Sequence, residues 1–372
     1  MSYAEDSKRY RAKKSKHPIR RLIAFILLIL LGVAGYLLYT ADPILDRPLR
    51  SLAESRLGKV HPYIADNSGL RAFVCGSSSP IATWDRAKTC IGVIADGEIL
   101  LFDVGAGAIR NIENWGLGAQ HISRVFLTHF HSDHLGDLDE ANVQGWIWGR
   151  REPLHVHGPV GVDRVVKGYN QALGLDYGYR NTYGTERFLP MRGALMLAHA
   201  AEPRPGDTVE VYRKGKLVVE AFLVDHSPVE PAFGYRIHYG DRTVLVSGDT
   251  RRSATLERLA RNADILFHEA QSARLSRLMA EAAARKSDER ISYVMSKAGD
   301  YHSAAEDFGE IAHNTKVRKL VMYHLAPPPD QWLMQRVFLR GMPGNVLLAE
   351  DGLVFTLIPG ETGVDQDMIE PL

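Results

Sequence analysis

Thr128-His129-Phe130-His131-Ser132-Asp133-His134-Leu135-Gly136-Asp137 directly follows the apolar run Arg124-Val125-Phe126-Leu127. Three histidines and one aspartate therefore stand within six positions at the end of a predicted strand. Imidazole is the commonest metal-binding side chain and a carboxylate its usual companion, so the cluster points to a metal site. His129 and His131 lie two apart and can face one ion, while Asp133 and His134 fall on the following turn and can reach a second. A chance, solvated cluster is the competing reading, and the density and spacing disfavour it.

Outward from this motif, short apolar runs alternate with turns. Residues 70–76 (LRAFVCG) and 89–105 (TCIGVIADGEILLFDVG) read as strands, with Asp96-Gly97 predicting a hairpin. Helical patterns cover 105–116, 160–173, 253–286 and 303–315. A second batch of strands is read at 216–226, 233–249, 264–270 and 319–324. Two batches of strands, each followed by helices, predict two sheets packed face to face with helices outside.

The HxHxDH pattern followed by Leu135-Gly136-Asp137 resembles the signature of the metallo-β-lactamase superfamily. Asp103 in LLFDVG, His226 in VDHS, Asp249 in VSGDT and His324 in VMYH each end an apolar run in the family's order. The resemblance implies an α/β fold, a four-layer αββα sandwich over residues 70–358, and two Zn²⁺ ions with Mn²⁺ or Fe²⁺ as alternatives. It places His129, His131 and His226 on one zinc and Asp133, His134 and His324 on the other, with Asp249 bridging. A bridging hydroxide would be the nucleophile, and two ions, two carboxylates and that hydroxide leave a net charge of about +1, which suits an anionic ester.

Phe267-His268-Glu269-Ala270 and Tyr301-His302-Ser303-Ala304-Ala305 look like the paired HEAT and HST loops of the RNase Z branch, which arylsulfatase-like relatives share. Carried over, His302 acts as general acid or oxyanion stabiliser, Glu269 orients it, and Asp133 doubles as proton acceptor. Gln271 and Ala304 stand where that pattern has threonines, which puts transfer of tRNA processing in doubt.

Charge is unevenly spread. Residues 1–21 hold eight basic and two acidic residues, net +6, and read as a basic cytoplasmic tail. The other 351 residues hold 37 basic and 42 acidic, net −5, a poor trap for a polyanion. Residues 22–39 carry no charge and nearly cross a hydrocarbon core of roughly 30 Å, reading as a transmembrane anchor. A cleaved signal peptide is the rival, but the run is long and YLLYTADP lacks a small-x-small cleavage site. With the basic flank inside, the body is expected on the periplasmic face of the cytoplasmic membrane. Residues 40–69 read as a linker or connecting helix and 359–372 as a tail.

Cys75 and Cys90 can pair if the body is extracytoplasmic, and two small buried residues are the equal alternative. His155 and His157 imitate an HxH pair but lack a carboxylate partner beyond Glu152, so they are expected to be structural. His121, His199, His238 and His313 read as isolated. Trp146, Trp148, Tyr169, Tyr177, Tyr179 and Tyr183 read either as ordinary packing or as the wall and lid of a pocket.

The leading expectation is a membrane-anchored dinuclear zinc hydrolase acting on a small anionic ester, a phosphodiester or aryl sulfate. Alternatives are an RNase Z-type 3′-tRNA-processing endoribonuclease, a lactonase or β-lactamase, and a metal-free binding module. Residues 159–220, where an RNase Z would place its tRNA-gripping arm, hold nine basic and seven acidic residues, too balanced for such an arm. Nucleic acid is thus an unfavoured partner. A metal-free module has no physical need for seven buried ionisable side chains.

Overall fold

The computed structural model describes residues 18–40 and 42–372, so most of the expected basic tail lies outside the described residues. Helix α1 (Pro18–Thr40) buries none of its side chains and is long and apolar enough to cross a membrane. Helix α2 (Asp42–Arg56) follows, and a separate compact unit begins at Val60.

Among the described residues, fifteen strands form two sheets in that unit. The first contains β1 (Leu70–Gly76), β2 (Cys90–Ala95), β3 (Glu98–Phe102), β4 (Ile122–Phe126), β5 (Leu154–Pro159) and β6 (Met196–Ala201). The second contains β7 (Thr208–Lys214), β8 (Leu217–Val224), β9 (Ala232–Tyr239), β10 (Arg242–Val246), β11 (Ile265–Gln271), β12 (Lys319–Ala326) and β13 (Val346–Leu348). The chain then returns to the first sheet with β14 (Leu353–Leu357) and β15 (Asp365–Met368), giving the order β15-β14-β1-β2-β3-β4-β5-β6.

The helices of this unit are α3 (Pro62–Ala65), α4 (Ala108–Asn114), α5 (Ser132–Leu135), α6 (Leu138–Ile147), α7 (Val162–Phe188), α8 (Met191–Ala194), α9 (Ala254–Leu259), α10 (Ala273–Arg285), α11 (Glu289–Lys297), α12 (Phe308–Thr315) and α13 (Trp332–Phe338). Three apolar layers hold the sandwich together. Phe102, Phe126, Tyr235, Phe267 and Phe355 fill the space between the sheets. Ile109 of α4, Leu138 of α6 and Val162 of α7 pack on the outside of the first sheet, and Leu256, Phe308 and Phe338 on the outside of the second. This is the αββα architecture expected from the sequence.

The predicted Asp-Gly hairpin joins β2 to β3, with Asp96 and Gly97 both at positive φ and Ala95 opposite Glu98. Three boundaries differ from expectation. The helical pattern over 253–286 overlaps the strand read at 264–270, and the structure keeps that strand as β11 and divides the helix into α9 and α10 on either side of it. The linker expected over 40–69 ends in α3, because Ile64 packs into the layer outside the first sheet. The tail expected over 359–372 contributes β15, paired with β14, and buries Ile369. Cys75 and Cys90 form a disulfide joining the end of β1 to the start of β2.

Strand direction brings the chemistry to one edge. Strands β3, β4 and β5 run parallel, as do β10, β11 and β12. Strand β8 is antiparallel to β9, which is antiparallel to β10, so β8 ends at the same edge as β10. The segments leaving these strands carry Asp103, His129, His226 and Asp249, and Glu269 and His324 lie near the ends of β11 and β12. Ligands in open α/β sheets gather at such carboxyl ends.

Candidate metal centre

Asp249 is the hub. Its Oδ2 lies 3.9 Å from His129 Nε2, 3.3 Å from His134 Nε2, 3.8 Å from His226 Nε2 and 3.3 Å from His324 Nε2. His129 Nε2 is 2.9 Å from His131 Nδ1, and His324 Nε2 is 3.2 Å from Asp133 Oδ2. His129, His131, His226 and Asp249 form one group of mutually close donors, and Asp133, His134 and His324 another. All seven residues expected from the motif and its resemblance are thus gathered at one place.

The donor set fits metal ions. Ligand atoms on a tetrahedral zinc with Zn–N of about 2.0 Å are roughly 3.3 Å apart, close to the separations seen here. His134 Nε2, His226 Nε2 and Asp249 Oδ1 are buried without a hydrogen-bond partner. Such orphaned atoms are costly in a closed interior unless a cation satisfies them.

Each imidazole is turned by what holds its other nitrogen. His134 Nδ1 lies 2.8 Å from Asp103 Oδ2, leaving Nε2 to face the hub. His226 Nδ1 contacts the Tyr301 carbonyl at 3.0 Å, and His129 Nδ1 contacts Thr128 Oγ1 at 3.0 Å. Thr128 is itself fixed by donating both its N–H and its hydroxyl to Asp103, each at 2.8 Å. Outer partners of this kind set the tautomer and orientation of metal-binding histidines. The strand-end position of Asp103 was visible in the sequence, whereas its grip on His134 and Thr128 was not. Thr128 precedes the first histidine and was legible only as part of the motif. The Tyr301 carbonyl is backbone and leaves no mark in the sequence.

Glu269 organises a second element. Its Oε1 accepts from Thr250 N at 3.1 Å and Ser303 N at 2.9 Å, and lies 3.1 Å from His302 Nδ1. His302 also reaches Asp249 and His324, one donor atom of each lying within 4.8 Å of the others. The two departures from the threonine pattern meet: Gln271 and Ala304 pair as a β-bridge, and Gln271 N donates to Ser303 O at 2.9 Å. Backbone pairing thus ties the two loops together.

Electrostatics separate the roles. Burial opposes protonation of His302, but Glu269 and then Asp249 outweigh it and push its pKa up to about 9. Burial would raise Asp133, yet the His324 contact and the His134 charge hold it down at about 2. The arrangement therefore offers a proton donor at His302 and a carboxylate at Asp133 in one site, each close to His324.

The remaining aromatic and histidine expectations divide. Trp146 and Tyr177 are buried and meet edge to face at 5.9 Å, so they are packing. Trp148, Tyr179 and Tyr183 are exposed. Tyr169 donates to the Leu135 carbonyl at 3.1 Å and, with Phe130 and Arg164, lines a largely apolar cavity of about 610 Å³ beside the motif. His155 and His157 stand apart from the metal groups, as expected. His199 is not isolated: β5 and β6 pair in parallel, placing His199 opposite His157 and stacking it on both His155 and His157.

A family model described as Anti-Pycsar protein Apyc1 matches residues 70–283. The chain is 30% identical over 284 residues to a Ribonuclease Z of Mycolicibacterium paratuberculosis, covering 74% of this chain and 94% of that one. The short form of human tRNase Z superposes with a TM-score of 0.55 at 21% identity, covering 78% of this chain and 99% of that chain. A diphosphatase of the PhnP family gives 0.53 at 18% identity, covering 80% of this chain and 100% of that chain.

Proposed function

Since the chain belongs to the anti-Pycsar protein Apyc1 family and to the RNase Z branch of metallo-β-lactamase-fold hydrolases, and is a metal-dependent ester hydrolase, we propose that it is a membrane-anchored dinuclear zinc phosphodiesterase. The observation that carries this reading is the convergence of four imidazole nitrogens within 3.9 Å of one Asp249 oxygen. His129, His131 and His226 would hold one ion and Asp133, His134 and His324 the other, with Asp249 contributing to both. When bound, two divalent ions supply an acidified water and positive charge for an anionic ester. Zinc suits this nitrogen-rich set, with manganese or iron as alternatives.

The chain's own residues do the rest. Asp249 sets the spacing of the two donor groups. Asp133 is available to take a proton from the attacking water. His302, held through Nδ1 by Glu269, keeps Nε2 free to donate to the leaving oxygen, which is general acid catalysis. A phosphodiester ranks ahead of an aryl sulfate, since the relative named Ribonuclease Z is by that name an enzyme that cleaves RNA, whose links are phosphodiesters.

The same relative favours a second reading, 3′-tRNA processing. Against it stand the net −5 of residues 22–372 and the mixed charge of residues 159–220. The Cys75–Cys90 disulfide supports a body in an oxidising compartment, hence periplasmic, because such bonds rarely persist in cytosol. The test is metal analysis together with a panel of a bis-aryl phosphodiester, an aryl sulfate, a lactone, a cephalosporin and a precursor tRNA. About two metals per chain and fastest turnover of the phosphodiester are expected. Precursor tRNA cleaved while the small esters are not would overturn the reading.

A further inference from the structure

Helices α10 and α13 each begin just beyond a strand, β11 and β12, that ends at the metal edge. A cavity of about 700 Å³ opens at Ala273, Ala304 and Arg340 and adjoins a second of about 500 Å³. The two share Arg274, Val337 and Arg340, so they form one groove between the helices. Arg277 lines the first part and Arg336 the second. Leu278, Val337 and Met342 supply apolar surface.

Four arginines thus line one groove in a body that is acidic as a whole. Glu306 also lies in the wall, but its oxygens accept from the first N–H groups of α10, Ala273 at 3.3 Å and Arg274 at 3.2 Å. Arg336 lies 5.7 Å from the Trp332 ring centroid, a neutral partner. The groove therefore keeps an excess of positive charge. Ala304 in its wall stands two residues after His302, in the loop that Glu269 fixes, so the groove begins close along the chain to the proton donor.

Guanidinium forks match phosphate oxygens in shape as well as charge, and apolar surface between them accommodates a ring or carbon chain. We infer that this groove binds a second phosphate of the substrate, away from the scissile ester, and that the natural substrate is a phosphodiester carrying at least two phosphates. The inference rests on the phosphodiesterase reading of the metal centre. Phospholipid headgroups are the rival source of the same chemistry.

The test uses the full chain, zinc-loaded, in phosphatidylcholine nanodiscs. Two chromogenic esters are compared: the p-nitrophenyl 5′-ester of thymidylate, and that of pTpT, which adds one phosphate. The KM of the dinucleotide ester should be roughly tenfold lower, and Arg277→Ala/Arg340→Ala should collapse that ratio toward one. Arg277→Lys/Arg340→Lys, which keeps the charge, should restore part of the ratio. Calorimetric binding of pTpT itself reads the groove without turnover and should weaken in parallel. Equal KM values in the unsubstituted protein, or a ratio and a pTpT affinity that the alanine pair leaves alone, would overturn the inference. No turnover of either ester, with pTpT binding still arginine-dependent, would sink the phosphodiesterase reading and leave the groove standing. In phosphatidylglycerol nanodiscs the preference should persist; its disappearance there means that headgroups fill the groove, and the inference fails.

Discussion

The chain writes the same word twice. His129-Phe130-His131 follows β4, and His155-Val156-His157 lies in β5, the parallel neighbour of β4. Around the first pair stand Asp249, Asp133 and, through Thr128 and His134, Asp103. Around the second stand a third histidine, His199, at 2.8 Å from His155, and the positive charge of Arg124. Burial, then His199 and Arg124, push His157 down to about 3, so it stays neutral. The carboxylates make the first pair a place for cations, and the imidazole stack makes the second a wedge at the sheet margin. Spacing creates the opportunity for a metal site, and the charge that folds against it decides whether the opportunity is used.

The comparison breaks most sharply at Asp249. Removing it as Asp249→Ala should drop bound metal from about two per chain to below one, and kcat/KM by roughly three orders of magnitude. Elemental analysis alongside kinetics checks this, and full metal content in that variant would contradict the hub assignment. His302→Ala should lower kcat by about 10²- to 10⁴-fold with metal content retained, since its role is proton transfer. A comparable loss of metal would move His302 into the ligand set. Asp103→Asn should weaken metal binding by about 10- to 100-fold by loosening His134, measured by competition with a chromogenic chelator.

The smallest effects belong to the second pair. His157→Phe keeps a ring against Phe126, whose centroid lies 4.7 Å away, and should leave metal content and turnover unchanged. Its signature is in acid. With a folded pKa of about 3 against an ordinary value of 6.5, His157 binds a proton in the unfolded chain first. Stability is therefore lost as pH falls below 6.5, by at most about 1.4 kcal/mol per pH unit from this group. Thermal melts between pH 6.5 and 5 should be flatter in the phenylalanine variant. An unchanged slope would show that His157 is not held neutral.

What was legible in the sequence follows from the same contrast. His129, His226, Asp249 and His324 could be read because each sits at the end of an apolar strand, where a polar side chain demands a reason. The Asp96-Gly97 turn could be read because two consecutive positive-φ positions leave few residue choices. His199 could not be placed, because its partners depend on the parallel register of β5 and β6. Nor could the Gln271–Ala304 bridge, which is made by backbone and is indifferent to the missing threonines. Strand β15 escaped because Asp365-Gln366-Asp367-Met368 is exposed throughout and carries no apolar alternation.

That last strand has a practical meaning. Strand β14, with Leu353, Val354, Phe355 and Leu357 buried, would present open hydrogen-bonding groups if nothing lay beside it. Through β15 the sheet ends instead in two aspartates, and charge on an outer strand discourages another chain from adding to the ladder. A chain shortened at Ile358 would keep every residue of the metal centre and lose that guard, so its failure would show as aggregation on concentration while the catalytic groups stayed in place.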